Sequence, residues 1–165
     1  MRISDIGEFG LIERLKQRVI DAGVGASHPG LAFPLLIGMG DDTAAWQTHQ
    51  ATELSTTDTV VDGVHFTSQT TPWKDLGWKV MAANLSDIAA MGGIPLYALV
   101  TLGLPEDTLV SDMDSLYDGM IRACQEYSAA IVGGDMVKSP TCFVSVTLNG
   151  YTDGAPMLRT AAKEG

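Results

Sequence analysis

The chain has 165 residues, 45% of them hydrophobic and 18% charged, a composition that suits one folded domain, or one domain and the start of another. Its net charge of −10 argues against sequence-independent nucleic-acid binding, which requires a basic surface. No apolar run approaches the roughly 20 residues that span a bilayer, and no signal peptide opens the chain, so we expect a cytosolic protein without membrane partners.

Hydrophobic periodicity predicts an amphipathic helix over residues 7–22, and glycines follow it. Strands are predicted at 34–37, at 44–47, and over 52–57 with an extension past Asp58 to Val61. A helix is expected from about Trp73 to Met91. The remaining elements are a strand at 95–104, a helix at about 109–127, a strand at 129–132 that ends at Gly133-Gly134-Asp135, and a strand at 142–152.

This order of elements predicts an α+β or α/β fold, a mixed sheet with helices on one face. We expect residues 1–153 to form one domain. Residues 154–165 would open a second domain, because the chain ends abruptly at Lys163-Glu164-Gly165.

Four aspartates share a setting in which apolar residues precede them and glycines or hydroxyl side chains lie beside them: Asp42, Asp58, Asp87 and Asp135. Taken singly, a Gly-Asp turn or a solvated strand end explains Asp42 or Asp58 equally well. Asp87 differs because it lies in the apolar stretch of a predicted helix, with Asn84 on the same face. An unpaired buried carboxylate costs several kcal/mol, roughly, so Asp87 must be neutral, exposed or bound to a cation.

Several carboxylates beside hydroxyls and glycines are typical of a site for hard cations, in which Mg²⁺ ions and nucleotide phosphates neutralise one another. Other chemistries lack their motifs in this chain. The sequence contains no GxxxxGK[ST], no GxGxxG after a strand, no GxSxG and no Cys/His cluster. His65 alone is explained as well by a structural hydrogen bond as by ligand binding.

Five segments together are specific for one family: GMGDDTA (38–44), STTDTVVDGVHF (55–66), NLSDIAAMGG (84–93), IVGGDM (131–136) and LRTAAKEG (158–165). In content and order they resemble the thiamine-monophosphate kinases, within the superfamily related to aminoimidazole ribonucleotide synthetase. The opening GEFGLI (7–12) is also similar, so the resemblance covers essentially the whole chain. Members of that family are about twice as long and carry a second α/β domain.

The resemblance implies transfer of the γ-phosphoryl group of ATP to thiamine monophosphate, several Mg²⁺ ions, and a homodimer whose sheets pair into a barrel. It assigns metal ligands to Asp42, Thr56, Thr57, Asp58, Asp87 and Asp135, with Asp41 as a nearby candidate. It assigns His65 to the thiamine phosphate, and Tyr117, Gly134, Asp135 and Arg159 to the nucleotide. The register of the hydroxyl ligands among Ser55, Thr56 and Thr57 stays open by one residue.

No catalytic acid or base is expected, because the acceptor is a phosphate that is already ionised near neutral pH. Two other functions are compatible with the sequence. One is another ATP-using member of the superfamily, of the hydrogenase-maturation or selenophosphate-synthetase type, and the position of His65 after Asp62-Gly63-Val64 favours the kinase over it. The other is a non-catalytic dimerisation module, against which the intact set of aspartates argues.

Overall fold

The structure is a computed structural model that describes residues 1–25, 33–40, 43–48 and 51–160. In these ranges the chain forms three helices and six strands, in the predicted order: α1 (Ile3–Asp21), β1 (Leu35–Ile37), β2 (Ala45–Trp46), β3 (Thr52–Val61), α2 (Trp73–Ala90), β4 (Ile94–Leu104), α3 (Val110–Tyr127), β5 (Ala130–Lys138) and β6 (Phe143–Thr152). None of the helices in the described ranges has the length and apolarity that crossing a membrane requires.

Four strands form the main sheet in the order β3-β6-β4-β5, so β3 and β5 are its edges. Strand β6 is antiparallel to both of its neighbours, whereas β4 and β5 are parallel. Parallel neighbours need a long crossover connection, and α3 supplies it here. The predicted mixed sheet is therefore confirmed.

All three helices pack on one face of this sheet, as predicted. Helix α2 lies against β6 and β3, while α1 and α3 contact β5. Alternate residues of the strands, such as Val100 and Val146, face the helices and are buried among them. Leu11, Leu15 and Val19 form the buried stripe of α1, at the spacing expected of an amphipathic helix.

Strands β1 and β2 form a separate antiparallel pair that covers one end of the opposite face. A second apolar cluster, here called the far-face cluster, holds this pair to the sheet: Phe33, Leu96, Tyr97, Ala130, Val132 and Tyr151. The rings of Phe33 and Tyr151 meet edge-on with their centroids 4.6 Å apart, and the Trp46 ring lies 5.1 Å from that of Tyr97. The Tyr97 hydroxyl also donates a hydrogen bond to the carbonyl of Phe33.

Strand β3 extends past Asp58 to Val61 as predicted, and Asp58 pairs with Val146 inside it. The predicted end of β5 is wrong, because the strand continues through Asp135 to Lys138. A Cβ atom at Gly134 would lie 1.8 Å from the carbonyl oxygen of Val100 on β4. The glycine therefore permits close contact between neighbouring strands, and it does not form the turn that the sequence suggested.

Helix α1 begins at Ile3, earlier than the predicted residue 7, and it is kinked at Gly7, where φ is 69°. Glycine tolerates this left-handed conformation, which other residues rarely adopt. The amide of Ile3 donates to the carbonyl of Thr108 at 2.9 Å. This tertiary contact stabilises a first turn that local periodicity does not predict.

Helices α2 and α3 approach each other closely because each presents a glycine to the backbone of the other. A Cβ atom at Gly77 would lie 1.9 Å from the carbonyl oxygen of Leu116, and one at Gly119 would lie 1.9 Å from the carbonyl oxygen of Lys74. Both distances are far inside van der Waals contact. The crossing therefore depends on the absence of a side chain at both positions.

We predict that Gly119→Ala destabilises the protein by about 2 kcal/mol or more, because the added methyl group forces α2 and α3 apart. In an unobstructed helix the same change stabilises by about 1 kcal/mol, so the sign of the effect is diagnostic. Urea denaturation measures it. Gly154→Ala is the matched control, since nothing lies within 4 Å of a Cβ atom there. Equal stability of the two variants would contradict the close crossing.

Two ion pairs fasten α1 to α3. Arg14 donates two hydrogen bonds to Asp114 at 2.7 and 2.6 Å, and Arg18 donates two to Asp118 at 2.8 Å each. The two pairs are four residues apart on both helices, so they lie one turn apart along the same contact. The Arg14 guanidinium holds the pKa of the Asp114 carboxyl below its ordinary value of 3.8.

The lowered pKa of Asp114 means that the folded state favours the charged carboxylate, so the pair stabilises above pH 3.8 and is lost as pH falls below it. Because Arg14 is half-exposed, we expect Asp114→Asn to cost only about 0.5–1 kcal/mol near neutral pH. The difference from wild type should shrink in urea titrations at more acidic pH. Asp107→Asn, at an exposed position, is the control. A difference that grows on acidification would contradict the ion pair.

Candidate functional site

One group of predicted site residues lies on the helix-covered face at the β3 edge. Helix α2 crosses this edge and brings Asp87 to Thr56, whose hydroxyl donates to the carboxylate at 2.7 Å. Both residues are half-buried. The apolar sequence around Asp87 suggested a buried carboxylate without a partner, but Asp87 is partly exposed and is paired with Thr56. Asp58 lies two residues farther along β3 and therefore faces the same side of the sheet.

A cavity of about 330 Å³ opens beside this pair, and its lining is Leu54, Ser55, Thr56, Asp87, Ile88, Ala90, Met91, Met157, Leu158 and Arg159. The segment after β6 folds back over the end of α2, where the amide of Met157 donates to the carbonyl of Met91 at 3.1 Å. The predicted nucleotide contact Arg159 thus lines the same cavity as Asp87. A guanidinium and a carboxylate around one open volume suit a ligand that carries both phosphates and cations.

Thr57 lies on the other side of the sheet from this cavity. Its hydroxyl donates to the carbonyl of Val146 and accepts a hydrogen bond from the hydroxyl of Thr147, both at 3.1 Å. Of the three consecutive hydroxyl residues, Ser55 and Thr56 line the cavity. The hydroxyl that meets a predicted carboxylate ligand is that of Thr56.

A second group of predicted residues lines a narrow slot between α1, α3 and the β5 edge. The slot has a volume of about 100 Å³ and is lined by Ile12, Leu15, Met39, Val100, Leu102, Tyr117, Gly133, Gly134, Asp135 and Met136. Tyr117 is buried, and burial raises the pKa of its phenol, which therefore stays neutral at physiological pH. Asp135 accepts a hydrogen bond from the amide of Met136 at 2.9 Å.

The two groups are separated by the width of the sheet. Asp58 and Gly134 lie on one line across it, with one residue each of β6 and β4 between them. Three strand spacings of about 4.8 Å put their backbones about 14 Å apart. Asp135 pairs with Thr101, so its side chain faces the opposite side of the sheet from that of Asp58.

Among the residues that the structure describes, no three His, Cys, Asp or Glu side chains gather closely enough to hold a metal ion. Asp41 and Asp42 lie outside the described residues. The predicted convergence of aspartates on shared metal ions therefore stays a prediction.

Asn84 is fully buried in α2, three residues before Asp87. Its side-chain amide donates to the carbonyl of Val80 at 3.0 Å, while its Oδ1 atom has no hydrogen-bond partner within the described residues. The residue thus bonds to its own helix, although it shares a face with Asp87.

His65 lies in the loop that follows β3, and its side chain is exposed. Its Nδ1 atom accepts a hydrogen bond from the amide of Val61 at 3.2 Å, and Lys79 donates to its backbone carbonyl at 3.3 Å. Asp62 closes the loop by accepting from the amide and the hydroxyl of Ser68, at 2.9 and 2.6 Å. The sequence motifs did not single out Asp62 or Lys79 as site residues, although the dipeptide Asp62-Gly63 is itself a turn signal.

Comparison with known proteins adds independent evidence. The model of the family described as AIR synthase related protein, N-terminal domain, matches residues 40–152. A thiamine-monophosphate kinase from Aquifex aeolicus is 39% identical over 153 residues, which cover 93% of this chain and 45% of that protein. The structure of AaThiL complexed with AMPPCP and TMP matches with a TM-score of 0.67 and 34% identity, covering 100% of this chain and 48% of that one.

The chain spans about half the length of the curated relatives it matches. The hydrogenase maturation protein HypE from Escherichia coli matches with a TM-score of 0.60 over 87% of this chain and 43% of its own, at 20% identity. At that identity the match shows a shared fold alone.

Proposed function

Because the chain belongs to the family of AIR synthase related proteins, as their N-terminal domain, we propose that it is the nucleotide- and metal-binding domain of a thiamine-monophosphate kinase. The reaction transfers the γ-phosphoryl group of ATP to the phosphate of thiamine monophosphate and yields thiamine diphosphate and ADP. The observation that carries the proposal is the Thr56–Asp87 pair, which shares a cavity with Arg159. Its support is the similarity to the Aquifex aeolicus kinase and to the AaThiL complex, whose ligands are an ATP analogue and TMP.

The residues at this cavity fit Mg²⁺, because they offer hydroxyl and carboxylate oxygens, the donors that a hard divalent cation prefers. Thr56, Asp58 and Asp87 would hold such ions. When bound, Mg²⁺ screens the repulsion between ATP and the acceptor phosphate. Thr57, Asp135, Asp41 and Asp42 remain predicted ligands.

The residues of the chain itself bind and orient the two substrates. Arg159 can pair with a phosphate through its guanidinium. Beside Gly134, which has no side chain, Tyr117 offers a neutral phenol to a nucleotide in the slot. His65, exposed at the end of β3, is available to the acceptor phosphate. Positioning and charge neutralisation suffice for a transition state in which little bonding to the transferred group remains.

We propose further that the active protein is a homodimer and that its sheets pair into a barrel. Within one chain Asp58 and Asp135 lie on opposite edge strands, too far apart for one cation. If the two-fold axis runs along the strands, β3 of one protomer lies beside β5 of the other. The group around Asp58 would then lie beside the partner's Gly134, both on the helix-covered face, and the two separated half-sites would adjoin across the joined edges. The outer edges of β3 and β5, with which no other strand pairs in the part of the chain that the structure describes, support this proposal.

The same similarity supports the remaining proposals. Residues 154–165 would begin the second domain of the complete protein, and we propose a cytosolic location for it. A hydrogenase-maturation type of activity has only the shared fold in its favour. A non-catalytic module would not require the Thr56–Asp87 pair beside Arg159.

We predict that Asp87→Asn in the full-length protein lowers the rate of thiamine diphosphate formation by about 100-fold or more, because charge stabilisation of this kind is worth that much in other active sites. An assay that couples ADP release to NADH oxidation, with thiamine monophosphate as acceptor, measures it. Asp75→Asn, which changes an exposed aspartate on the same helix, is the control and should keep full activity. Full, Mg²⁺-dependent activity of Asp87→Asn would contradict the proposed site.

Mixing two inactive variants tests the shared site. We predict that Asp58→Asn and Asp135→Asn are each inactive and that subunit exchange between them restores about a quarter of wild-type activity, since each mixed dimer then has one intact site. A mixture of Asp58→Asn with Asp87→Asn is the control, because both changes lie in the same half-site and no intact site can form. No recovery in the first mixture, after exchange is verified with tagged subunits, would contradict the shared site.

A further inference from the structure

The loop from Asp62 to Ser68, here called the histidine loop, is held at several points. Gly63 turns the chain with φ of 79°, and its amide donates to the carbonyl of Phe66 at 2.8 Å. Phe66 is buried and meets the ring of Trp73 edge-on, with 6.2 Å between centroids. The two hydrogen bonds from Ser68 to Asp62 close the loop. An exposed loop with these fixed points presents His65 in one orientation.

The hydrogen bond to His65 determines which ring nitrogen carries the proton. Val61 lies on edge strand β3, and its amide donates to Nδ1 of His65. A nitrogen that accepts a hydrogen bond has no proton, so the neutral imidazole is protonated at Nε2. Within the described residues no group accepts from Nε2. The loop therefore displays one N–H donor to the outside.

The groups around this donor favour an anionic ligand. The Lys79 ammonium lies 3.3 Å from the carbonyl of His65 and adds a positive charge. Asp62 is the carboxylate of the loop, and both of its oxygens already accept hydrogen bonds from Ser68. Those bonds also lower the pKa of Asp62, so it stays ionised and keeps its role as an acceptor. What remains available is an imidazole N–H and an ammonium, which suit the dianion of a phosphate monoester.

We propose that Asp62 is a positioning residue for the acceptor phosphate: by bonding Ser68 it holds His65 in the Nε2-protonated form, which donates to the phosphate together with Lys79. Asp62 touches neither the acceptor nor the reacting atoms and acts through His65, whereas Lys79 acts by binding the acceptor phosphate. This inference rests on the proposed function, because it takes thiamine monophosphate as the acceptor.

The tautomer can be measured without any turnover. We expect ¹⁵N NMR of the histidine-labelled full-length protein at about pH 8, where ordinary imidazoles are neutral, to show Nδ1 unprotonated and Nε2 protonated for His65. His65→Gln assigns the signal. Asp62→Ala should give a mixture of tautomers, whereas Asp107→Ala, which changes an exposed aspartate, should not. A wild-type His65 protonated at Nδ1, or an unchanged pattern in Asp62→Ala, would overturn the proposal.

Kinetics supply the second readout. We expect Asp62→Ala to raise the KM for thiamine monophosphate about tenfold, the effect of losing one charge-assisted hydrogen bond, with kcat and the KM for ATP nearly unchanged. The double variant Asp62→Ala/His65→Gln should be no worse than His65→Gln, because Asp62 acts through the histidine. Additive losses, or an unchanged KM for the acceptor, would overturn the inference.

Two further variants keep the test decisive if Asp62→Ala does not fold. Ser68→Ala removes the shorter of the two bonds to Asp62, and Asp62→Asn removes the charge; each should raise the acceptor KM in the same direction. A wild-type protein that does not phosphorylate thiamine monophosphate at all would refute the proposed function. The NMR measurement would then still decide how Asp62 and His65 are coupled.

Discussion

The close crossing of α2 and α3 is the contact on which the candidate site depends. Because Gly77 and Gly119 have no side chains, each helix can lie against the backbone of the other. Helix α2 also packs on β3 and β6. In this position its Asp87 carboxylate accepts the hydrogen bond from the Thr56 hydroxyl. A bond between two half-buried side chains on different elements is therefore determined by packing many residues away.

The sheet has a different effect, because it divides the site. Its order β3-β6-β4-β5 puts the strand with Thr56 and Asp58 at one edge and the strand with Gly134 and Asp135 at the other. Each edge carries some of the predicted ligands or nucleotide contacts, but neither carries the complete predicted set. This division is the physical reason for proposing that two chains act together.

Much of the fold is predictable from local patterns. The stripe Leu11–Leu15–Val19, the long α2 and the alternation along β6 follow from periods of 3.6 and 2, and the comparisons confirm the family that the five segments suggested. What local patterns miss is set by distant contacts. Gly133-Gly134 suggests a turn, yet the pair lies inside β5 because Val100 approaches there. Asp87 suggests an unpaired buried charge, yet Thr56 meets it from another strand.

The far-face cluster has a consequence for local opening. It joins β1 and β2 to the sheet through side chains outside the main core, so undocking of this pair would leave the core beneath the helices packed. Met39, just beyond β1, lines the slot beside Tyr117. Each undocking event would remove one wall of that slot. Amide hydrogen exchange in β1 and β2 would therefore report how often the slot stands open, and a nucleotide held in it would slow that exchange.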